Sequence, residues 1–288
     1  MSRISFADLI RGAGVNIVEE YRELLTLLRG RACDVFPDYE FQGGLCKEYE
    51  CRSFCNICDE NFLSLPKEIR GTCRTLAKYN AYYEYHPENV SQPCLDDLLF
   101  LAEYMFTFSC ALANLFENKN YYHVKTINRH VLEHLCDLKT KLHHAVVFDG
   151  AFVKLVPEDE VVVEAASQLP REISIKTFMY RHRSMSGNIT EKKLVLKLLG
   201  DQLEPRRLDI RDTELRGAIF SILNCMDIRH NNTKVGDKYY HAFVADLGAE
   251  ELEAWYDRLY DMMLAAFTSL NAQPALKEYS CHKSEIGE

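Results

Sequence analysis

The chain has 288 residues, 47% of them apolar and 27% charged, with 43 acidic against 34 basic side chains and a formal charge of −9. This length suits one large or two medium domains, and the apolar share supports a sizeable core, which excludes a disordered chain. The acidic excess argues against general nucleic-acid adhesion, and 11 cysteines, an odd number in so long a chain, argue against a small secreted disulfide scaffold and for a reducing, cytoplasmic setting.

The opening residues lack a compact apolar run with a cleavage site, so no secretory signal is expected. Residues 17–29 place Ile17, Tyr21, Leu24, Leu25 and Leu28 on one helical face. Residues 33–44 read as a loop ending in Gly43-Gly44. Residues 45–64 and 68–84 read as helices, and His86-Pro87 to Gln92-Pro93 as a connector. Helices follow at 95–117 and 121–144. The apolar stretch 98–116 is long enough to cross a membrane, but Glu103, Thr107, Ser109 and Asn114 within it and Asp96-Asp97 before it mark a buried core helix. The next helix carries the stripe Val124, Ile127, Val131, Leu135, Leu138, Leu142. Then the period changes: AVVF, Asp149-Gly150 and AFVKLV predict a hairpin with a type I′ turn. Helical patterning returns at 159–167, 171–183, 190–203, 212–228 and 249–270, with a polar, mobile tail expected from Pro274. The expected fold is mainly α, one or more helical bundles with one small β-hairpin near 146–156. A helical N-terminal domain, 1–145, would serve sensing or partner binding, ahead of a second helical domain, 146–288.

Charge is uneven along the second half. Residues 171–216 hold 11 Lys/Arg against 7 Asp/Glu, a net of +4, whereas 246–261 hold 6 acids against Arg258, a net of −5. Either a local basic face or two complementary helix faces follows from this.

Two segments have metal-ligand chemistry. Cys46, Cys51, Cys55 and Cys58 fall close together, and Cys55/Cys58 form a C-x-x-C half-site. Yet four ligands on one helix cannot surround one ion, and the same spacing fits small apolar residues on one core-facing stripe. His130, Glu133 and His134 match H-x-x-E-H, which resembles the inverted zincin signature, where two histidines one turn apart bind zinc and the glutamate activates water. The same three residues also suit the polar face of an amphipathic helix. Arg129 and His134 make an R-x4-H pair like that of HEPN nucleases, but five residues place them about 140° apart on a helix.

The densest polar cluster is Arg229-His230-Asn231-Asn232, at the end of an apolar helix. Arginine can hold a phosphate, histidine can move a proton, and asparagine can read a base edge or cap a helix. From about 146 to 270, the order of VVFDGAFVKLV, Tyr180–Ser184, LEPRR, NCMDIRHNN and LEAWYDRLYDMM resembles bacterial abortive-infection proteins with a HEPN-like C-terminal region. The resemblance implies a helical bundle, antiphage defence, a homodimer or a defence-system partner protein, and metal-independent RNA cleavage. Arg229, His230, Asn231 and Asn232 would then be catalytic, and Arg181, Arg183 and Lys234 would hold RNA. No membrane role and no cofactor are implied, zinc being the only alternative. The family's nuclease histidine would fall at 234–236, where Lys234, Val235 and Gly236 stand. That substitution keeps open a non-catalytic interaction or sensor module.

Overall fold

The computed structural model describes residues 14–35 and 52–286. The chain is mainly α-helical with one two-stranded sheet among the described residues. It falls into two compact units, Met1–Leu155 and Val156–Glu288. The division falls within the second strand of the hairpin rather than at 145/146, and Val153 and Leu155 are buried in the core of the first unit.

In the first unit, α1 (Ile17–Arg29) starts at Asn16, whose side chain accepts from the Glu19 amide, and buries Tyr21, Leu24, Leu27 and Leu28. Cys46 and Cys51 lie outside the described residues. After them, α2 (Phe54–Asn61) opens on a capping box between Ser53 and Asn56. The helix expected over 68–84 is broken. A single turn, Lys67–Arg70, stops at Gly71, whose φ of +56° is left-handed. The chain restarts as α3 (Leu76–Tyr82), capped by Thr75. Long helices α4 (Leu95–Phe116) and α5 (Tyr122–Lys141) follow, then β1 (His144–Asp149) and β2 (Phe152–Pro157).

α4 is the one described helix long and apolar enough to cross a membrane, and 72% of its most apolar window is buried within the protein. Its polar residues explain why. The Leu155 amide donates to Glu103 Oε1 at 2.8 Å and the Val153 amide to Thr107 Oγ1 at 3.0 Å. One helical turn, about 6 Å of rise over four residues, matches the advance of about 6.7 Å over two strand residues. So two acceptors four apart on α4 meet two donors two apart on β2. The turn between the strands is Gly150-Ala151, not Asp149-Gly150. Gly150 has φ +62° and Ala151 is not left-handed, the pattern of a type II′ turn.

The second unit contains α6 (Glu160–Ala166), α7 (Arg171–Met179), α8 (Ile189–Leu203), α9 (Thr213–Cys225) and α10 (Ala249–Ile286). Side chains of Asp159, Asn188 and Asp212 cap α6, α8 and α9. The tail expected to be mobile from Pro274 is instead the last part of α10. Proline gives up one backbone hydrogen bond, and the helix formers Ala275, Leu276, Lys277 and Glu278 carry the helix onward.

α8 packs on α10 through Leu196, Leu199, Tyr256 and Tyr260, all fully buried. Tyr180 stacks on Tyr260 with ring centres 4.0 Å apart. Beside the stack lies the Lys192 side chain, 6% exposed, with Nζ 2.7 Å from both Glu253 Oε1 and Asp257 Oδ1. The basic and acidic segments read from the sequence thus meet face to face. Lys192 holds the Glu253 carboxyl below its usual range, first through this hydrogen bond and then with help from the Gly187 amide. A carboxyl depressed in this way stabilises the fold above the unfolded glutamate value of about 4.3 and loses that contribution as pH falls below it. Lys192→Met is expected to cost about 2 kcal/mol at pH 7, the scale of a hydrogen bond to a charged group. In urea titrations the gap from wild type should narrow as pH falls below about 4.3, where the unfolded chain takes up a proton that the paired Glu253 resists. An unchanged gap would show that the lysine stem, not its charge, stabilises the pair of helices.

Candidate functional site

The Arg229–Asn232 cluster sits where α9 ends. Asp227 turns the chain with φ +58°, a left-handed conformation that its short polar side chain can support locally. Its amide donates to Asn232 Oδ1 at 2.8 Å, and the Asn232 amide donates back to Asp227 Oδ1 at 3.0 Å. Lys193 of α8 donates to the other Asp227 oxygen at 2.7 Å. Asn232 is fully buried. Its Nδ2 donates to the Tyr239 carbonyl at 2.6 Å, and its own carbonyl accepts from the His241 amide at 2.9 Å. One asparagine therefore closes the 227–232 turn and ties it to the returning chain.

Arg229 extends to the end of α8. Its Nη1 lies 2.6 Å from Glu204 Oε2, its Nη2 lies 3.6 Å from Asp201 Oδ1, and its guanidinium stands 5.8 Å from the Phe220 ring centre. Gly200 makes the space: a Cβ there would stand 2.9 Å and 3.0 Å from the Leu223 methyls and 3.4 Å from Arg229 Nη2. His230 lies flat on Tyr239 at 3.9 Å. Asn231 accepts the Lys234 amide at 3.2 Å in a local turn. The four residues expected to act together are thus parted by role. Arg229 and Asn232 anchor the loop, His230 stacks, and Asn231 shapes a turn. With two carboxylates before it, Arg229 carries no uncompensated charge for a phosphate.

Of the residues expected to hold RNA, Arg181 is bonded to Asp261 and lies 5.4 Å from the Tyr260 ring centre. Arg183 is half-buried in the turn Arg183–Met185, and Lys234 is exposed. Arg207 lies 4.4 Å from the Phe220 ring centre and 3.6 Å from Glu204. Much of the basic segment faces acids and aromatic rings of its own unit.

The metal candidates are rearranged. Cys58 is buried in the first core, where burial pushes its thiol well above the usual range; burial likewise raises Cys55. A protonated thiol is a poor zinc ligand, and among the described residues no third ligand joins these two. On α5, His130 Nδ1 lies 3.3 Å from Glu133 Oε2, and Arg129 Nε lies 3.8 Å from Glu133 Oε1. His134 turns away, toward Glu23 of α1 at 3.9 Å. Thus His130, Glu133 and His134 do not converge on one point, because the tertiary partner of His134 is another helix.

Sequence reasoning missed Asp227, Tyr239, Glu204 and Gly200 as members of the loop site. The signals were an Asp and an Asn bracketing a turn and a lone glycine inside an apolar helix. No known protein family, curated protein or solved structure matches this chain.

Asn232→Ala leaves the part-buried Asp227 amide and Tyr239 carbonyl without these partners, so a loss of about 1–2 kcal/mol is expected in thermal or urea unfolding. Asn231→Ala, at an exposed turn, should change stability by less than about 0.5 kcal/mol. Equal effects at the two positions would refute the division of roles.

Proposed function

We propose that this protein is a non-catalytic interaction module of a bacterial antiphage-defence system, with the 226–241 loop and the turn after it as a rigid docking element for a partner protein. The observation that carries this reading is the ion pairing of Arg229 with Glu204 and Asp201, which leaves the cluster without a free phosphate clamp. Anchored by Arg229 and Asn232, the segment holds Val235 at 78% exposure and Phe243 at 62%. Apolar and aromatic side chains displayed on a fixed frame suit protein recognition, since little ordering is required on binding. The defence setting rests on the resemblance of 146–270 to abortive-infection proteins. Fold alone does not specify an activity, and the departure at 234–236 supports the non-catalytic form.

The test combines protection and cleavage. In bacteria expressing the full chain, Val235→Asp with Phe243→Ser is expected to reduce protection against phage by about tenfold or more, the loss of an interface anchor. His230→Ala should retain protection, and purified wild type with EDTA should leave total tRNA intact. Cleavage of the tRNA that disappears in both His230→Ala and Arg229→Ala would replace this reading with the ribonuclease one. Full protection by the Val235/Phe243 variant would remove the docking surface.

A further inference from the structure

Leu24 and Leu28 of α1 and Leu135 and Leu138 of α5 are all buried in the core of the first unit. Beside that core, Glu20 and Glu23 lie one turn apart on α1, near His134 on α5. One ligand atom from each, a carboxylate oxygen from both glutamates and an imidazole nitrogen, lies within 4.8 Å of the others. Among the described residues no other group of three or more His, Cys, Asp or Glu side chains meets that spacing.

Two of these side chains present buried atoms with no hydrogen-bond partner, Glu20 Oε2 and His134 Nε2. Glu20 as a whole is 9% exposed. The other buried unpartnered atoms are for the most part hydroxyls, which are weak ligands beside a carboxylate oxygen and an imidazole nitrogen. The second Glu20 oxygen is held by Lys141 Nζ at 2.7 Å. That contact fixes the carboxylate in rotation. Two carboxylates and one ammonium leave a local charge of about −1 with a neutral imidazole, which favours a cation. The third oxygen, from Glu23, stands on a side chain 51% exposed beside an open cleft of about 650 Å³. Glu23 and His134 both line that cleft.

We propose that Glu20, Glu23 and His134 form a divalent-metal site of the zinc class, with three protein ligands and open positions for water. The donor set, imidazole with carboxylates, suits zinc and its neighbours in the transition series. Ligands at about 2.1 Å from zinc stand about 3.4 Å apart in a tetrahedron, and Glu23 Oε2 and His134 Nε2 are 3.9 Å apart. A small rotation of the exposed glutamate closes the difference. This site uses one residue of the H-x-x-E-H motif and completes it from another helix. It lies in the first unit and does not depend on the docking role of the second.

The test uses the full chain, stripped with EDTA, dialysed, and titrated with cobalt and with zinc. One equivalent of cobalt should bind with the visible bands of oxygen and nitrogen coordination and without thiolate-to-metal charge transfer. Zinc at about 100 times its Kd should raise the unfolding temperature, since a ligand bound only to the folded state stabilises by about 2.7 kcal/mol at that ratio. Glu23→Gln, a near-isosteric change on a half-exposed side chain, and His134→Gln should each weaken binding at least about tenfold, as loss of a ligand does. Cys55→Ser should bind as wild type does. No binding, a thiolate charge-transfer band, or binding unchanged in Glu23→Gln and His134→Gln would each overturn the site and leave His134 as an ion-pair partner of Glu23.

Discussion

A buried polar atom without a partner costs about 1–3 kcal/mol, and this constraint organises both units. Glu103 and Thr107 sit deep in an apolar helix because two strand amides need acceptors there. The helix and strand repeats happen to bring acceptors and donors into register, so the hairpin docks at one position along α4 and not a residue to either side. Lys192 is carried into the second core because two carboxylates on α10 stand over it. Asn232 is buried because its backbone and side chain are bonded at both ends of a loop. In each case the apolar packing decides that two elements meet, and the polar partner decides where.

The same reasoning changes the meaning of the net charge. A surplus of acid over the whole chain suggests an unfavourable surface for nucleic acid, while a basic stretch at 171–216 suggests an exception to it. The side chains remove much of that exception. Arg181 meets Asp261, Lys192 meets Glu253 and Asp257, and Lys193 meets Asp227, while Arg229, beyond that stretch, meets Glu204. Most of these pairs join separate elements of the second unit, so they act as orientation markers between helices. A half-exposed pair such as Arg181–Asp261 adds little stability. The pairs nearest the core, at Lys192 and Arg229, do more, since removing one member strands the other in a poorly solvated place.

The fold was legible wherever periodicity ran long. The stripes on α1, α4 and α5 needed only one face to be apolar for a helix to form, and the change of period at 146 marked the hairpin. Boundaries were less legible where one residue overrides its neighbours. Gly71 splits a helix-like run because its backbone turns left-handed, whereas Pro274 does not end α10 because good helix formers follow it. The hairpin turn moved by one residue because Gly150 takes the first central position rather than the second. The candidate sites were harder. Spacing along a helix says which residues share a face, and it says nothing about what the face meets. His134 shares a face pattern with His130 but meets Glu23, which is 111 residues away in the chain. No local motif encodes such a meeting.

What separates a structural polar cluster from a chemical one is then the state of its atoms, not its density. Arg229-His230-Asn231-Asn232 is the densest run of polar chemistry after α9, and its most buried member is also its most completely bonded. Saturated groups hold a shape well and bind a new ligand poorly, since every new bond must replace an existing one. Glu20, Glu23 and His134 make no motif in the chain, yet one ligand atom of each falls within 4.8 Å of the others, and Glu20 and His134 each carry an unpartnered buried atom. A ligand there would gain bonds without breaking any except the weak contact between His134 and Glu23. The first unit, where the sequence offered metal candidates by local spacing, instead gathers its unpartnered donors from two separate helices. The second unit, whose motif looked reactive, has used its polar groups to close a loop and tie it to the end of α8.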